Sequence, residues 1–430
     1  MKMIKQICLL ILLSCISFSC DSSEEREPIL KSADYNVYLD ISNDSYLSAK
    51  KDNQFWSKRM AQDSSGVGDL GPLAGTYTAM FMASGDVTYL KNAEALYKKA
   101  ISISATNKDG YTRSLAQNYI SQHRFKEAQE MLEVIYAGPT NKRVTELQLF
   151  DTYMETGNFD KAFENLEKVK NTSDYQYLIR LAKWSDYRGD MDAAIKYLEK
   201  AKVIAESGGL KPLKIWTYSN LGDFYGHAGK INDAYEMYLK TLALQPDNAY
   251  AKKGIAWIAY SYEHDTEEAK RILNKIMESH KVPDYYLLRA EIAEFEGNKT
   301  EMEKNLVLFE EAASDPNYGA MYNAYFIEYY SETAPKKALS IAQGEVLNRA
   351  TPKTYHLLAL AQLKNGMNKE ALKTIEKYVM GKTEEPMALL HAAYVFKANG
   401  EADKVKQIKK ELEDASFEIG PILTQKVQSL

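Results

Sequence analysis

A short helical pattern repeats along this chain from about residue 71 to residue 416. A small or apolar anchor residue recurs about every 35 residues, and a large apolar residue usually follows four positions later. The anchors are Ala93, Ala128, Ala162, Ala194, Ala234, Ala269, Met302, Ala338, Ala371 and Val405. Because residues four apart share one face of a helix, each pair marks an amphipathic helix. Such units bury their apolar faces only by stacking, so the pattern predicts a repeat protein with a continuous core.

The clearest copy of the pattern spans residues 218–248. Gly222 and Ala234 are both small, which predicts that the two helices of this copy cross closely there. Gly229 suits the end of the first helix because glycine adopts a positive φ without strain. Pro246 stops the second helix because it has no backbone N–H to donate. The large residues that would fill the space between copies are Leu221, Tyr225 and Tyr238.

These seven positions resemble the signature of the tetratricopeptide repeat (TPR) family. The resemblance implies an all-α fold, a TPR-like α-solenoid in the form of a right-handed superhelix of about ten helical hairpins. We assign the repeats to residues 71–416, a leading helix and loop to residues 44–70, and a capping helix to residues 417–430. Residues 20–43 lack firm helical periodicity and are predicted to be an acidic tether.

The first nineteen residues have the features of an export signal. A short basic segment precedes an apolar run of signal-peptide length, and a cysteine then stands directly before acidic residues. This arrangement resembles a bacterial lipoprotein signal, in which the cysteine carries the lipid. Cys20 is our preferred lipidation site because it leaves the fuller apolar run and precedes the acidic stretch, whereas Cys15 matches the lipobox better by letter. An ordinary secretory signal remains an alternative.

Composition and motifs exclude several kinds of chemistry. With Cys20 as the lipid site, no thiol is left in the mature chain for a disulfide, a zinc–thiolate site or a cysteine nucleophile. The formal charge of −5 becomes about −7 once the signal is removed, which does not favour nucleic acid as a partner. None of the six histidines forms an HExxH pair, and the nucleotide-binding and hydrolase fingerprints are missing. We therefore expect no metal, no cofactor and no enzymatic activity.

The family resemblance also implies a binding surface, since the first helix of each hairpin lines the concave face and often receives a peptide. Carried over by position, the candidate partner-binding residues are Arg113, Gln117, Asp151, Arg180, Lys183, Asp223, His227 and Trp257. Charged and aromatic groups of this mixture could recognise a peptide by charge-assisted hydrogen bonds and apolar anchors. Each of these side chains could equally be a solvated or packing residue.

The leading interpretation is a lipid-anchored scaffold of the cell envelope that binds a protein or peptide on its concave face. The acidic residues after the cysteine resemble surface-export signals of Bacteroidota lipoproteins, so we expect an outer-membrane, surface-exposed location. Asp21, directly after Cys20, also resembles an inner-membrane retention signal of enteric bacteria. A SusD-like glycan-binding lipoprotein is the alternative, although long inserts usually interrupt the repeats of that class. An enzyme assembled from distant repeats is a third possibility.

Overall fold

The computed structural model describes residues 28–62 and 66–430. Within these ranges the chain forms 23 α-helices and no strand, and the predicted all-α solenoid is confirmed. Cys15 and Cys20 lie outside the described residues. None of the helices described is both long and apolar enough to cross a membrane.

Twenty of the helices form ten consecutive antiparallel hairpins, which we number as repeats one to ten. Neighbouring helices are joined by short turns, and the longest connection, residues 314–322, has only nine residues. The hairpins are α3 Val67–Ser84 with α4 Thr88–Ile103, α5 Lys108–Ser121 with α6 Phe125–Ala137, α7 Lys142–Thr156 with α8 Phe159–Lys168, α9 Tyr175–Tyr187 with α10 Met191–Ser207, α11 Lys211–His227 with α12 Ile231–Leu244, α13 Ala249–Trp257 with α14 Thr266–Ser279, α15 Asp284–Phe295 with α16 Lys299–Ala313, α17 Asn323–Thr333 with α18 Pro335–Asn348, α19 Pro352–Lys364 with α20 Asn368–Tyr378, and α21 Pro386–Ala398 with α22 Ala402–Glu413.

The ten anchors predicted from the sequence lie on the ten second helices of these hairpins. All except Met302 are buried, as expected where two helices of a hairpin approach each other. Gly222 shows why one position must be small, because a methyl group there would overlap the buried ring of Tyr238 on the partner helix. The ring of Tyr238 also lies against Gly254 of the next repeat. One tyrosine therefore fills the space that two glycines leave open.

The superhelix is wound tightly enough for distant repeats to touch. The backbone N–H of Lys281 donates to the carbonyl of Ser84 at 2.8 Å, which joins the turn after α14 to the end of α3. At a second contact, the backbone of Gly157 at the end of α7 lies against the carbonyl of Ala350 in the turn before α19 and leaves no room for a side chain. The first helices of repeats one and three therefore contact the turns that precede repeats seven and nine.

The C-terminal helix α23, Ser416–Gln428, folds back into the middle of the molecule. Its residue Gly420 has a φ of 77°, which bends the helix. The carbonyl of Phe417 accepts hydrogen bonds from Trp257 Nε1 at 3.0 Å and from Ser261 Oγ at 2.7 Å. Ser261 belongs to a π-helical turn, Ile258–Tyr262, that extends α13. The C-terminal helix thus covers the inner side of the middle repeats as well as packing on α22.

The N-terminal segment is more ordered than the predicted tether. Its described part contains α1, Ser32–Tyr35, followed by a 3₁₀ turn, Asn36–Tyr38, and then the leading helix α2, Asp44–Gln62. Tyr35 and Leu39 are buried against the middle repeats. This docking could not be predicted from the sequence, because two apolar residues four apart make only a single helical turn.

Candidate functional site

An open cavity of about 1090 Å³ lies inside the superhelix. One wall is built by the ends of α7, α9 and α11, and the opposite wall by the start of α19 and the loop between α20 and α21. The end of α22 and the start of α23 form a third side. The cavity is therefore a place where three distant parts of the chain meet.

An ion network crosses one wall of the cavity. Glu155 on α7 accepts a hydrogen bond from Lys183 Nζ on α9 at 2.9 Å and pairs with the guanidinium of Arg349. Burial alone would raise the pKa of Glu155, but Lys183 and Arg349 outweigh it and lower that pKa to about 2. Glu155 therefore stays ionised, and its charge is already matched within the protein.

Other carboxylates of the cavity have fewer ion-pair and hydrogen-bond partners than Glu155. Lys353 Nζ lies 3.1 Å from Glu385, and the nearby Glu385 charge raises the pKa of Lys353 although burial opposes this. Burial raises the pKa of Asp186 and of Glu418. Among the residues that the structure describes, the side chains of Asp186 and Glu418 have no hydrogen-bond or ion-pair partner. These two groups are free to meet a ligand.

A cleft of about 650 Å³ continues the cavity outward. It shares Arg188 and Lys382 with the cavity and carries two stacked aromatic pairs. The ring centroids of Phe159 and Tyr187 are 4.2 Å apart, and those of Tyr355 and Tyr378 are 3.9 Å apart. The cleft therefore offers flat apolar surfaces beside the charges of the cavity.

Two of the eight predicted partner-binding residues, Lys183 and His227, line the cavity. Asp151 and Arg180 form an ion pair beside it, with Arg180 Nη2 at 2.6 Å from Asp151 Oδ2. Arg180 Nε also donates to the carbonyl of Leu147 at 3.0 Å. These two charges satisfy each other and connect repeats three and four.

The remaining four predicted residues lie away from the cavity walls. Arg113 Nη1 donates to Thr140 Oγ1 at 2.6 Å, and Gln117 is exposed on α5. Asp223 accepts hydrogen bonds from two tyrosine hydroxyls, Tyr238 at 2.7 Å and Tyr250. Burial raises the pKa of Asp223 although both tyrosine hydrogen bonds lower it.

Trp257 was predicted to face an open concave surface, but it contacts the C-terminal helix instead. Its indole N–H is bound to Phe417, and its ring lies against Gly420. The protein's own C-terminal helix therefore covers the concave surface of repeat six.

Sequence reasoning missed several residues of the cavity. Glu155 could have been found, because it lies one helical turn after Asp151 and so shares its face. Asp186 lies three residues after Lys183 for the same reason. Arg349 and Glu385 gave no signal, since they lie in turns and reach the cavity only because the superhelix brings repeats nine and ten next to repeats three and four.

The chemistry available in this site is recognition by charge and by aromatic surface. Across residues 28–62 and 66–430, no cluster of three or more histidine, cysteine, aspartate or glutamate side chains is arranged to hold a metal ion.

Comparison with known proteins supports the repeat assignment. Residues 177–247 match the family model for the tetratricopeptide repeat. The match covers α9 to α12, which are repeats four and five and include the copy that resembles the family signature most clearly. Repeats of this type are generally non-catalytic scaffolds that bind other proteins. No curated protein matches the chain.

Several solved structures are similar to parts of the chain. Yeast Tom70 is 15% identical, over 90% of this chain and 93% of its own, with a TM-score of 0.40. A tetratricopeptide repeat protein from Parabacteroides merdae is 16% identical, over 56% of this chain and 94% of its own, with a TM-score of 0.39. MamA is 26% identical, over 38% of this chain and 94% of its own, with a TM-score of 0.29.

Proposed function

We propose that this protein is a non-catalytic scaffold of the cell envelope that binds a peptide segment of a partner protein in the cavity inside its superhelix. The cavity and its cleft support the proposal, because they bring the first helices of repeats three to five together with unpaired carboxylates and half-buried aromatic rings. The cavity volume of about 1090 Å³ slightly exceeds the range of about 300–1,000 Å³ found for pockets that hold drug-sized ligands, so it can take several residues of an extended chain.

The charges of the cavity favour a partner segment with basic side chains. Nine acidic residues and five lysines or arginines line it. Glu155 forms ion pairs with two cations, whereas Asp186 and Glu418 form no ion pair within the described residues, and Lys353 acts on them only from further away. A lysine or arginine of the partner would meet these carboxylates and form charge-assisted hydrogen bonds. The aromatic pairs of the cleft would hold the flanking apolar residues.

Attachment to the membrane through a lipid on Cys20, with Cys15 as the alternative, is part of the same proposal. It is supported by the basic start, the apolar run and the acidic residues after Cys20. Multiple acyl chains would hold the protein stably, since a single chain binds membranes only marginally. We propose an outer-membrane location with the repeats exposed at the cell surface.

Affinity capture from envelope extract, using soluble residues 21–430 as bait, tests the site. The Asp186→Arg variant reverses a charge that makes no ion pair or side-chain hydrogen bond within the described residues, so it should fold normally and lose the partner. Glu130→Arg makes the same change at an exposed position on α6 and serves as the matched control. Retention of every partner by Asp186→Arg, or equal loss in both variants, would contradict the assignment.

The glycan-binding alternative gains no support from the structure. Proteins of that class usually carry long irregular inserts between repeats, whereas the connections within residues 66–430 have at most nine residues. Calorimetry of residues 21–430 against a glycan panel would reveal specific binding if that function applied.

A further inference from the structure

We infer that the docked N-terminal segment, residues 29–47, and the helices α12 and α14 beneath it form the surface that faces the lipid bilayer. This inference rests on the proposed lipid anchor at Cys20. The anchor would orient the whole superhelix on the membrane, because the chain that carries the lipid joins the folded repeats at this surface.

The start of the segment is held on repeats five and six. The backbone N–H of Leu30 donates to Glu263 Oε1 at 2.7 Å. Tyr35 is only 1% exposed, and its hydroxyl donates to Glu268 Oε1 at 2.5 Å. The ring of Tyr35 also meets the ring of Tyr235 edge-on, with 6.4 Å between centroids. These contacts combine aromatic burial with hydrogen bonds to a carboxylate, so the segment is part of the folded body.

The far end of the segment is held equally well. The backbone N–H and the hydroxyl of Ser45 donate to the carboxylate of Asp247 at 2.6 and 2.8 Å. Asn43 Nδ2 donates to the carbonyl of Ala83 at 2.6 Å. The segment therefore bridges repeat one to repeats five and six, and it runs along α12 and α14, whose hairpin partners face the inside of the superhelix.

This docking limits how far the body can lie from the membrane. Only seven residues lie between Cys20 and Pro28, which makes eight residue-to-residue steps. A chain spans at most about 3.5 Å per residue, so these residues reach no more than about 28 Å in any conformation. A tether that continued to residue 43 could reach about 80 Å by the same limit. The lipid would thus hold Pro28 within about 28 Å and Leu30 within about 35 Å of the bilayer surface.

The surface itself suits an interfacial position. Val37 is 66% exposed, Leu47 is 55% exposed and Ile41 is 38% exposed, so the segment presents three large apolar side chains to its surroundings. Two cations beside them are paired within the protein: Arg271 pairs with Glu268 at 2.6 Å, and Lys275 pairs with Asp40 at 2.7 Å. Apolar contact and the anchor, rather than net charge, would bring this surface to the lipid.

The near absence of cysteine makes the orientation measurable. The mature chain has no thiol other than the lipidated Cys20, so Val37→Cys creates a single site for a fluorescent label. Val134→Cys, at a position 75% exposed on α6, is the matched control. The lipidated full-length variants are inserted into phosphatidylcholine vesicles that contain a lipid with a nitroxide headgroup. We expect the label at residue 37 to be quenched at least twofold more than the label at residue 134.

Inserting twenty Gly/Ser residues between Arg26 and Glu27 leaves the folded body untouched and should abolish the difference between the two labels. Equal quenching of both labels in a protein that carries lipid and floats with vesicles would overturn the orientation and leave the anchor intact. A mature protein without lipid by mass spectrometry would overturn both. Thiol labelling of the protein without substitutions would show that Cys15 is the lipidated residue.

Discussion

The contact between Arg349 and Glu155 is expected to hold the closed form of the superhelix. Arg349 lies in the turn before α19, and Glu155 lies at the end of α7, so the pair joins repeats three and nine. The Arg349→Met substitution keeps much of the aliphatic stem and removes the charge. Within the described residues it leaves Lys183 as the one ion-pair partner of Glu155, with Lys353 acting from further away.

The magnitude follows from the pKa of Glu155. The surrounding cations lower it from 4.5 to about 2, which corresponds to about 3 kcal/mol at 1.36 kcal/mol per pKa unit. The side chains of Arg349 and Glu155 are only 17% and 24% exposed, so solvent screens the pair weakly. With most of the effect divided between Lys183 and Arg349, Arg349→Met should cost about 1–2 kcal/mol of local stability at pH 7.

Hydrogen exchange measured by mass spectrometry reports this local free energy directly. Protection of residues 149–156 and 352–360 should fall about 5- to 30-fold in Arg349→Met, the equivalent of 1–2 kcal/mol. Introducing Arg349→Met into a Glu155→Gln variant should cost little, because the charge that Arg349 pairs with is already lost. Lys404→Met removes an exposed pair with Glu376 and should change exchange negligibly. Unchanged protection in Arg349→Met, or additive effects in the double variant, would refute the argument.

Two further predictions concern the core. Gly254→Ala should destabilise the protein by about 1–2 kcal/mol in urea denaturation, because overlap with the ring of Tyr238 costs more than the helix propensity gains. Gly344→Ala adds a methyl group in open space, so it should raise the free energy of unfolding by up to about 1 kcal/mol. Changes of the same sign in the two variants would contradict the packing argument. His356 Nδ1 and His391 Nδ1 share a buried hydrogen bond of 2.9 Å, and burial lowers the pKa of His391 from 6.5 to about 4. The unfolded chain therefore binds more protons below pH 6.5, so stability should be complete above that pH and fall as pH decreases towards 4, by about 2 kcal/mol at pH 5 for His391. Replacing both histidines by leucine should reduce this slope in thermal melts, and an unaltered slope would argue against the buried pair.

Local patterns predicted the repeat architecture well. Each hairpin is formed mostly by contacts between residues close in sequence, so the spacing of the anchors was enough to place all ten second helices. Gly222 could be interpreted from the sequence for the same reason, because it must be small to contact Tyr238 of its own hairpin.

Features that depend on the superhelical path could not be predicted in this way. Arg349 reaches Glu155 from a distance of 194 residues, and the carbonyl of Phe417 meets Trp257 from a distance of 160. Such contacts depend on the pitch of the superhelix, which accumulates from small rotations at every repeat. The eight predicted partner-binding residues follow from the pattern of single repeats. That pattern does not show which of these residues remain accessible once distant repeats contact each other.

Photo-crosslinking in living cells is the most direct test of whether a partner binds inside the superhelix. A photoreactive amino acid is introduced at Asp186, in the cavity, or at Glu130, on the exposed surface of α6. We expect a discrete crosslinked protein from position 186 and none from position 130. Crosslinking at position 130 alone, or to the same extent at both positions, would contradict a partner site inside the superhelix.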